Sequence, residues 1–258
     1  MIKDLTVIVP TFHSKDLILI FLRSFEKFKP KDLNVKYIVV ENTDDVSYKD
    51  EVLSIAENIK WINNNHGIKG KMEEIGSSQN ASAIEISKQY VDTEYVFIAH
   101  CDVCICDSKF FDCMFQKISE GFRVVGPFFD RCPDRIKALH VSGLFMETKI
   151  MNEVDFFPKR IDSNSRMDVG DAVTLYCRNN SIDHYCLVST HNKDIVAKID
   201  DKFKDFNVVR SIDDDLNVIF MHLGRGVPKT IGTYAKTGSK RVYLEDWIEF
   251  CNKEILND

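Results

Sequence analysis

Apolar positions along the first hundred residues come in two alternating rhythms. Short, nearly unbroken apolar runs at residues 5–9, 35–40, 60–62 and 95–99 read as strands covered on both faces. Between them lie longer stretches whose apolar residues recur every three to four positions, the pattern of amphipathic helices. Residues 15–28 place Leu17, Phe21, Leu22, Phe25 and Phe28 on one stripe, with Ser14 as the expected N-cap and Pro30 as the stop. Residues 76–90 and 107–120 are the next helices, the first with Ala83, Ile84 and Ile86, the second with Phe110, Phe111, Met114, Phe115 and Ile118 turned inward. This alternation predicts an α/β fold with a mostly parallel central sheet and helices on both faces.

The second half is less regular. Strands are expected at 124–127, 141–148, 185–188 and 217–221, a helix at 168–178, and a polar connection at 158–166. Residues 224–239, rich in glycine and basic side chains, read as a mobile loop. A closing helix at 242–255 carries Leu244, Trp247, Ile248, Cys251 and Ile255 on one face. No linker divides the chain, so one domain of 258 residues is expected, with residues 1–130 and 131–240 as its two halves and 241–258 as a terminal helix.

Composition narrows the function classes. A hydrophobic fraction of 44% with 18 Phe fills a large core, and a net charge of -6 argues against a nucleic-acid partner, which demands a basic face. No run approaches the roughly 20 apolar residues of a membrane span and no signal peptide is visible, which implies a cytoplasmic protein. The closing helix leaves two readings, packing on the core or lying peripherally on the inner face of a membrane. Its Glu245, Asp246, Glu249 and Glu254 do not supply the basic face an anionic surface asks for. The eight cysteines are too dilute for a disulfide scaffold, and Cys101, Cys104, Cys106 and Cys113 match no zinc or iron–sulfur spacing. They read as free thiols.

Candidate chemistry sits where apolar runs end. Val7-Ile8-Val9-Pro10-Thr11-Phe12 is a strand that stops at Pro10, placing Pro10 and Thr11 at a carboxyl end, where ligands of open α/β sheets bind. Tyr37-Ile38-Val39-Val40 runs into Glu41 and Asn42, and a carboxylate there can accept hydrogen bonds from a base or a ribose. Gly76-Ser77-Ser78-Gln79-Asn80 reads as a helix start, where backbone N–H groups favour a diphosphate. Tyr95-Val96-Phe97-Ile98-Ala99 opens into His100-Cys101-Asp102, a pair of metal-binding side chains flanking a thiol.

These four patterns, in this order, resemble the family-2 glycosyltransferases, over roughly residues 3–226. The resemblance implies a single GT-A-like domain that binds a nucleotide-diphospho-sugar, with a less regular, acceptor-side second half. Asp102 matches the second acid of the family's Asp-x-Asp pair, and His100 stands in place of the first. Gln79 replaces the family's usual arginine, whereas Asn80 matches. The implied nucleotide-sugar residues are Pro10, Thr11, Glu41, Asn42, Gly76, Asn80, Cys101 and Arg225. Met221-His222-Leu223-Gly224-Arg225-Gly226 is similar to the family's His-x-Gly segment, giving His222 to the metal shell or the diphosphate and Arg225 and Lys229 to the diphosphate. Because imidazole favours Mn2+ over the oxygen-loving Mg2+, Mn2+ is the expected divalent cation.

The resemblance also implies a general base at the acidic pair Asp168 and Asp171, with Asp171 preferred. Ser142-Gly143 is similar to the strand beside the acceptor, where glycine allows close approach. The reaction so implied is inverting transfer from a sugar nucleotide, UDP-linked by preference, to a hydroxyl of a glycan, glycolipid or glycoprotein in surface-glycan synthesis. Three rivals stand beside it. A sugar nucleotidyltransferase needs a Gly-rich, Arg-containing loop after the first strand, which Pro10-Thr11-Phe12-His13-Ser14 lacks, and a dehydrogenase needs a GxGxxG that is absent. A non-catalytic sugar-nucleotide or partner-binding protein of the same fold fits the substitutions at Gln79 and His100.

Overall fold

The computed structural model describes residues 2–65, 72–129, 133–189, 193–224 and 242–257. The strands are β1 (Asp4–Thr11), β2 (Asn34–Glu41), β3 (Ile59–Asn63), β4 (Tyr95–Ala99), β5 (Val103–Ile105), β6 (Val124–Phe129), β7 (Ala138–Leu139), β8 (Gly143–Glu147), β9 (Lys159–Arg160), β10 (Arg166–Met167), β11 (His184–Ser189), β12 (Val209–Ile212) and β13 (Val218–His222). The larger helices are α1 (Lys15–Phe28), α2 (Lys49–Leu53), α3 (Met72–Ser87), α4 (Lys109–Ser119), α5 (Thr148–Glu153) and α6 (Asp171–Asn179).

One sheet runs through the molecule in the order β3-β2-β1-β4-β8-β6-β11-β12-β13-β5. Its first four strands are parallel, as their continuous apolar character requires. β8 then inserts antiparallel between β4 and β6, and the β11-β12-β13-β5 end is antiparallel throughout. The polar connection expected at 158–166 folds as a separate small hairpin of β9 and β10.

Strand alternation sorts the core into two layers. Val7, Val9, Tyr37, Val39, Phe97 and Ala99 face α1 and α4, whereas Ile8, Ile38, Val40, Val96 and Ile98 face α3 and α6. On the first side the rings of Phe25, Phe97, Phe110 and Phe111 meet edge-on or tilted at centroid distances of 4.9–6.2 Å. Helix α1 is buried beyond its expected stripe, because Ile18, Leu19, Ile20 and Ser24 are also covered. It also packs against β5, α2 and the terminal helix.

The terminal segment, Leu244–Phe250 continued as a π-helical turn over Cys251–Leu256, packs on the core with Trp247 and Cys251 fully buried. Phe206 stacks on Phe250 at 4.0 Å, and Lys27 Nζ donates to the end carbonyls of Ile255 and Leu256. Among the described residues no helix is long and apolar enough to cross a membrane. All described cysteines are free, and only Cys186 of these is exposed.

Two local expectations are corrected. Ser14 occupies the N-cap position of α1, but its hydroxyl donates to the Phe12 carbonyl at 2.6 Å and caps nothing. Gly76 lies inside α3, four residues past its first residue, and not at a helix start, so its N–H is no free anion donor. The helix begins earlier because Met72, Glu73 and Glu74 all favour helix, so nothing in the chain breaks it before Gly76.

Candidate active site

The carboxyl ends of β1, β2 and β4 open onto one edge of the sheet, and pairing brings three further segments to the same place. Antiparallel register sets Ala99 opposite Gly143, so the turn preceding β8, with His140 and Ser142, stands beside His100. The register of β13 on β5 sets His222 opposite Val103, and Leu223 N–H donates to the Asp102 carbonyl at 3.0 Å. His100, Asp102 and His222, separated by up to 122 positions in the chain, thereby converge.

Their ligand atoms all lie within 4.8 Å of one another. His222 Nε2 is 3.2 Å from Asp102 Oδ1, His100 Nδ1 is 3.3 Å from His222 Nε2, and His100 Nδ1 is 3.9 Å from Asp102 Oδ1. An ion bound at about 2.1 Å by three neighbouring ligands keeps their donor atoms about 3–3.5 Å apart, so two of the three separations already suit a divalent cation and the 3.9 Å one must shorten. The Asp102 carboxylate is 5% exposed, low enough to need a cation or donors nearby. Burial, then the adjacent His222, pushes His100 down to about 4, leaving a neutral imidazole with a lone pair on one of its two nitrogens.

A third imidazole was not picked out by sequence. The His140 ring centroid is 5.3 Å from that of His100 and 5.8 Å from that of His222. Ser142 N–H and hydroxyl both reach His140 Nδ1, at 3.2 and 2.9 Å, which fixes the orientation of its ring. Burial and the two neighbouring imidazoles hold His140 well below the ordinary histidine value. No motif marks it, since only the β4–β8 register brings it here.

The acidic pair lies across from this cluster, near enough for the charges of Asp168 and Arg135 to act on His100. Asp171 is fully buried and accepts two bonds from Arg135, Nε at 2.8 Å and Nη2 at 2.5 Å, besides one from the Asp168 N–H at 2.8 Å. Burial pushes the Asp171 carboxyl above the ordinary aspartate pKa, and Arg135 opposes that rise. Asp168, 21% exposed, takes the remaining Arg135 nitrogen, Nη1, at 3.1 Å. Gly170 makes the turn between them with φ +78°, and a Cβ there would lie 2.1 Å from Val141 Cγ1.

The residues at the β1 and β2 ends form a floor. Pro10, Thr11, Asn42 and Cys101 are buried, and Glu41 is completely so. The Glu41 carboxylate, expected to meet a base or ribose, is instead taken up by the Tyr48 hydroxyl, the Thr43 hydroxyl at 2.6 Å and the His13 N–H at 3.4 Å. The longer glutamate side chain reaches down to these groups, and the exposed edge passes to His13 and Asp45, paired at 2.9 Å. Asp45 is held at about 2 by the Ser47 hydroxyl and then by His13. Asn80, on α3, is the expected site residue that does face the cluster, with its amide nitrogen 2.9 Å from His100 Nε2. Gly143 is close-packed against protein, not left open for an acceptor: a Cβ there would sit 2.5 Å from the Phe220 ring. Arg225 and Lys229, and residues 225–239 of the expected loop, lie outside the described residues.

No protein-family model matches the sequence, and no curated protein matches it. Solved structures do. The mannosyltransferase PcManGT from Pyrobaculum calidifontis, solved with GDP-Man and Mn2+, matches with a TM-score of 0.51 at 15% identity, over 70% of this chain and 54% of that one. This chain thus spans about half the length of that enzyme. Glucosyl-3-phosphoglycerate synthase from Mycobacterium tuberculosis matches with a TM-score of 0.44 at 10% identity, over 71% and 70% of the two chains. Together with the parallel β3-β2-β1-β4 half, the likeness to PcManGT shows that this chain has a GT-A-like fold.

Proposed function

We propose that the protein is a glycosyltransferase that moves a sugar from a nucleotide-diphospho-sugar to an acceptor hydroxyl with the help of a divalent cation. One observation carries this reading: two imidazoles and a carboxylate from β4 and β13 converge at the carboxyl edge of a GT-A-like sheet. His100, Asp102 and His222 would hold the cation, and the two nitrogen donors favour Mn2+ over Mg2+. When bound, such an ion neutralises the charge that builds on a departing nucleoside diphosphate. That PcManGT was solved with a sugar nucleotide and Mn2+ supports the pairing of this fold with those ligands.

Asp168 is the proposed general base. Asp171 is closed off by Arg135, whereas Asp168 keeps a partly exposed carboxylate oriented by the same guanidinium. It would take the proton as the acceptor oxygen attacks the anomeric carbon, and direct displacement would invert that centre without a covalent intermediate. A UDP-linked donor and a surface-glycan acceptor complete the reading. The paired state of both acids favours a second one, sugar-nucleotide binding without turnover, because a carboxylate held by arginine is a weaker base.

Nucleoside diphosphate release from a panel of sugar nucleotides, with and without Mn2+, tests both. Mn2+-dependent release that Asp102→Ala abolishes is expected. Equal release from the wild type and Asp102→Ala would overturn the metal assignment, and saturable binding with no release would leave the second reading.

A further inference from the structure

We infer that the Asn80 side-chain amide sets the tautomer of His100 and so decides whether Nδ1 of that ring can serve a cation. The inference rests on the metal reading of His100, Asp102 and His222 and concerns a residue outside that trio.

Asn80 Nδ2 lies 2.9 Å from His100 Nε2, while its Oδ1 is buried without a partner among the described residues. In this orientation the amide donates, so Nε2 must accept and the ring proton sits on Nδ1. That proton points at His222 Nε2, 3.3 Å away, which then accepts and has no proton to give Asp102 Oδ1 at 3.2 Å. An Nδ1 that carries a proton has no lone pair for a metal.

Turning the amide by 180° exchanges two groups of nearly equal size and brings Oδ1 to Nε2. A carbonyl oxygen only accepts, so the ring proton moves to Nε2 and the Nδ1 lone pair faces Asp102 and His222. No other partner of His100 Nε2 is found among the described residues. Ligation by His100 therefore requires the turned amide, and Asn80 becomes the outer partner that orients a ligating histidine. Asn80 is a positioning residue in this scheme, since it touches the ligand's far nitrogen and not the ion.

The test is Mn2+ affinity of the full chain without sugar nucleotide, measured by electron paramagnetic resonance. Asn80→Ala is expected to weaken Mn2+ binding about tenfold, the lower end of what losing such a partner costs. Asn80→Asp, which can only accept, is expected to bind at least as tightly as the wild type. In a His100→Ala background, Asn80→Ala should change nothing further. Nitrogen-15 spectra of the metal-free Asn80→Asp protein should show His100 with its proton on Nε2, a signature that a packing role would not move.

Wild-type Mn2+ affinity in Asn80→Ala, with Asp102→Ala devoid of binding, would overturn the role of Asn80 alone. Unchanged affinity in Asp102→Ala would overturn the metal site beneath it. Should Asn80→Ala unfold, the Asn80→Asp affinity and spectrum decide, and an Nδ1 proton or weaker binding there would count against the inference.

Discussion

Asp171→Asn separates the acid locked against Arg135 from Asp168, the proposed general base. The substitution keeps the side-chain shape but removes the charge that answers Arg135, itself only 7% exposed. It also replaces one acceptor oxygen by an amide donor, which must face either an Arg135 nitrogen or the Asp168 N–H. Removing one member of a buried ion pair costs about 3–5 kcal/mol. For a chain of this size about 4 kcal/mol lowers the melting temperature by about 8–16 °C. Asp168→Asn can keep the bond from the Val169 N–H and loses the 3.1 Å contact of a partly exposed carboxylate with Arg135, a cost of about 1 kcal/mol or less. Thermal unfolding followed by circular dichroism, with urea midpoints as a check, should rank Asp171→Asn far below Asp168→Asn in stability. Turnover should rank them the other way, with Asp168→Asn inactive although folded. Because Arg135 is the shared partner, Arg135→Gln combined with Asp171→Asn should cost less than the sum of the two single changes. The reasoning fails if Asp171→Asn melts within about a degree of the wild type, or if Asp168→Asn proves the more damaging to the fold.

Further outcomes follow from the same geometry. Gly170→Ala combines a left-handed backbone with a 2.1 Å approach to Val141 Cγ1, so a loss of about 2–4 kcal/mol is expected by urea denaturation; a loss under about 0.5 kcal/mol would contradict the crowding. His100 is held at about 4 against an ordinary 6.5, so between those values the unfolded chain binds more protons than the folded one. Stability of the metal-free protein should therefore be complete above pH 6.5 and fall as pH drops towards 4, and the melting temperature of His100→Gln should fall less over that interval. Parallel pH slopes for the two proteins would refute the assignment.

The sequence by itself determined where the parallel strands lie and which polar side chains stand at their ends. β4 matches its apolar run residue for residue, and α1 matches its helical stripe, because burial on both faces of a strand or one face of a helix leaves a local period. His100, Asp102 and His222 were legible for a related reason: each ends an apolar run, and strand ends in this architecture face the ligand edge. The fates of Glu41 and Asp171 were not legible, since an acid at a strand or helix end has the same local pattern whether solvent or a protein partner meets it. Tyr48 and Arg135 supplied those partners from 7 and 36 residues away. His140 and Arg135 carried no signal at all. Antiparallel insertion of β8, a pairing made across the chain, sets the turn holding His140 against His100, and long-range register is decided by the sum of core contacts and not by any one segment.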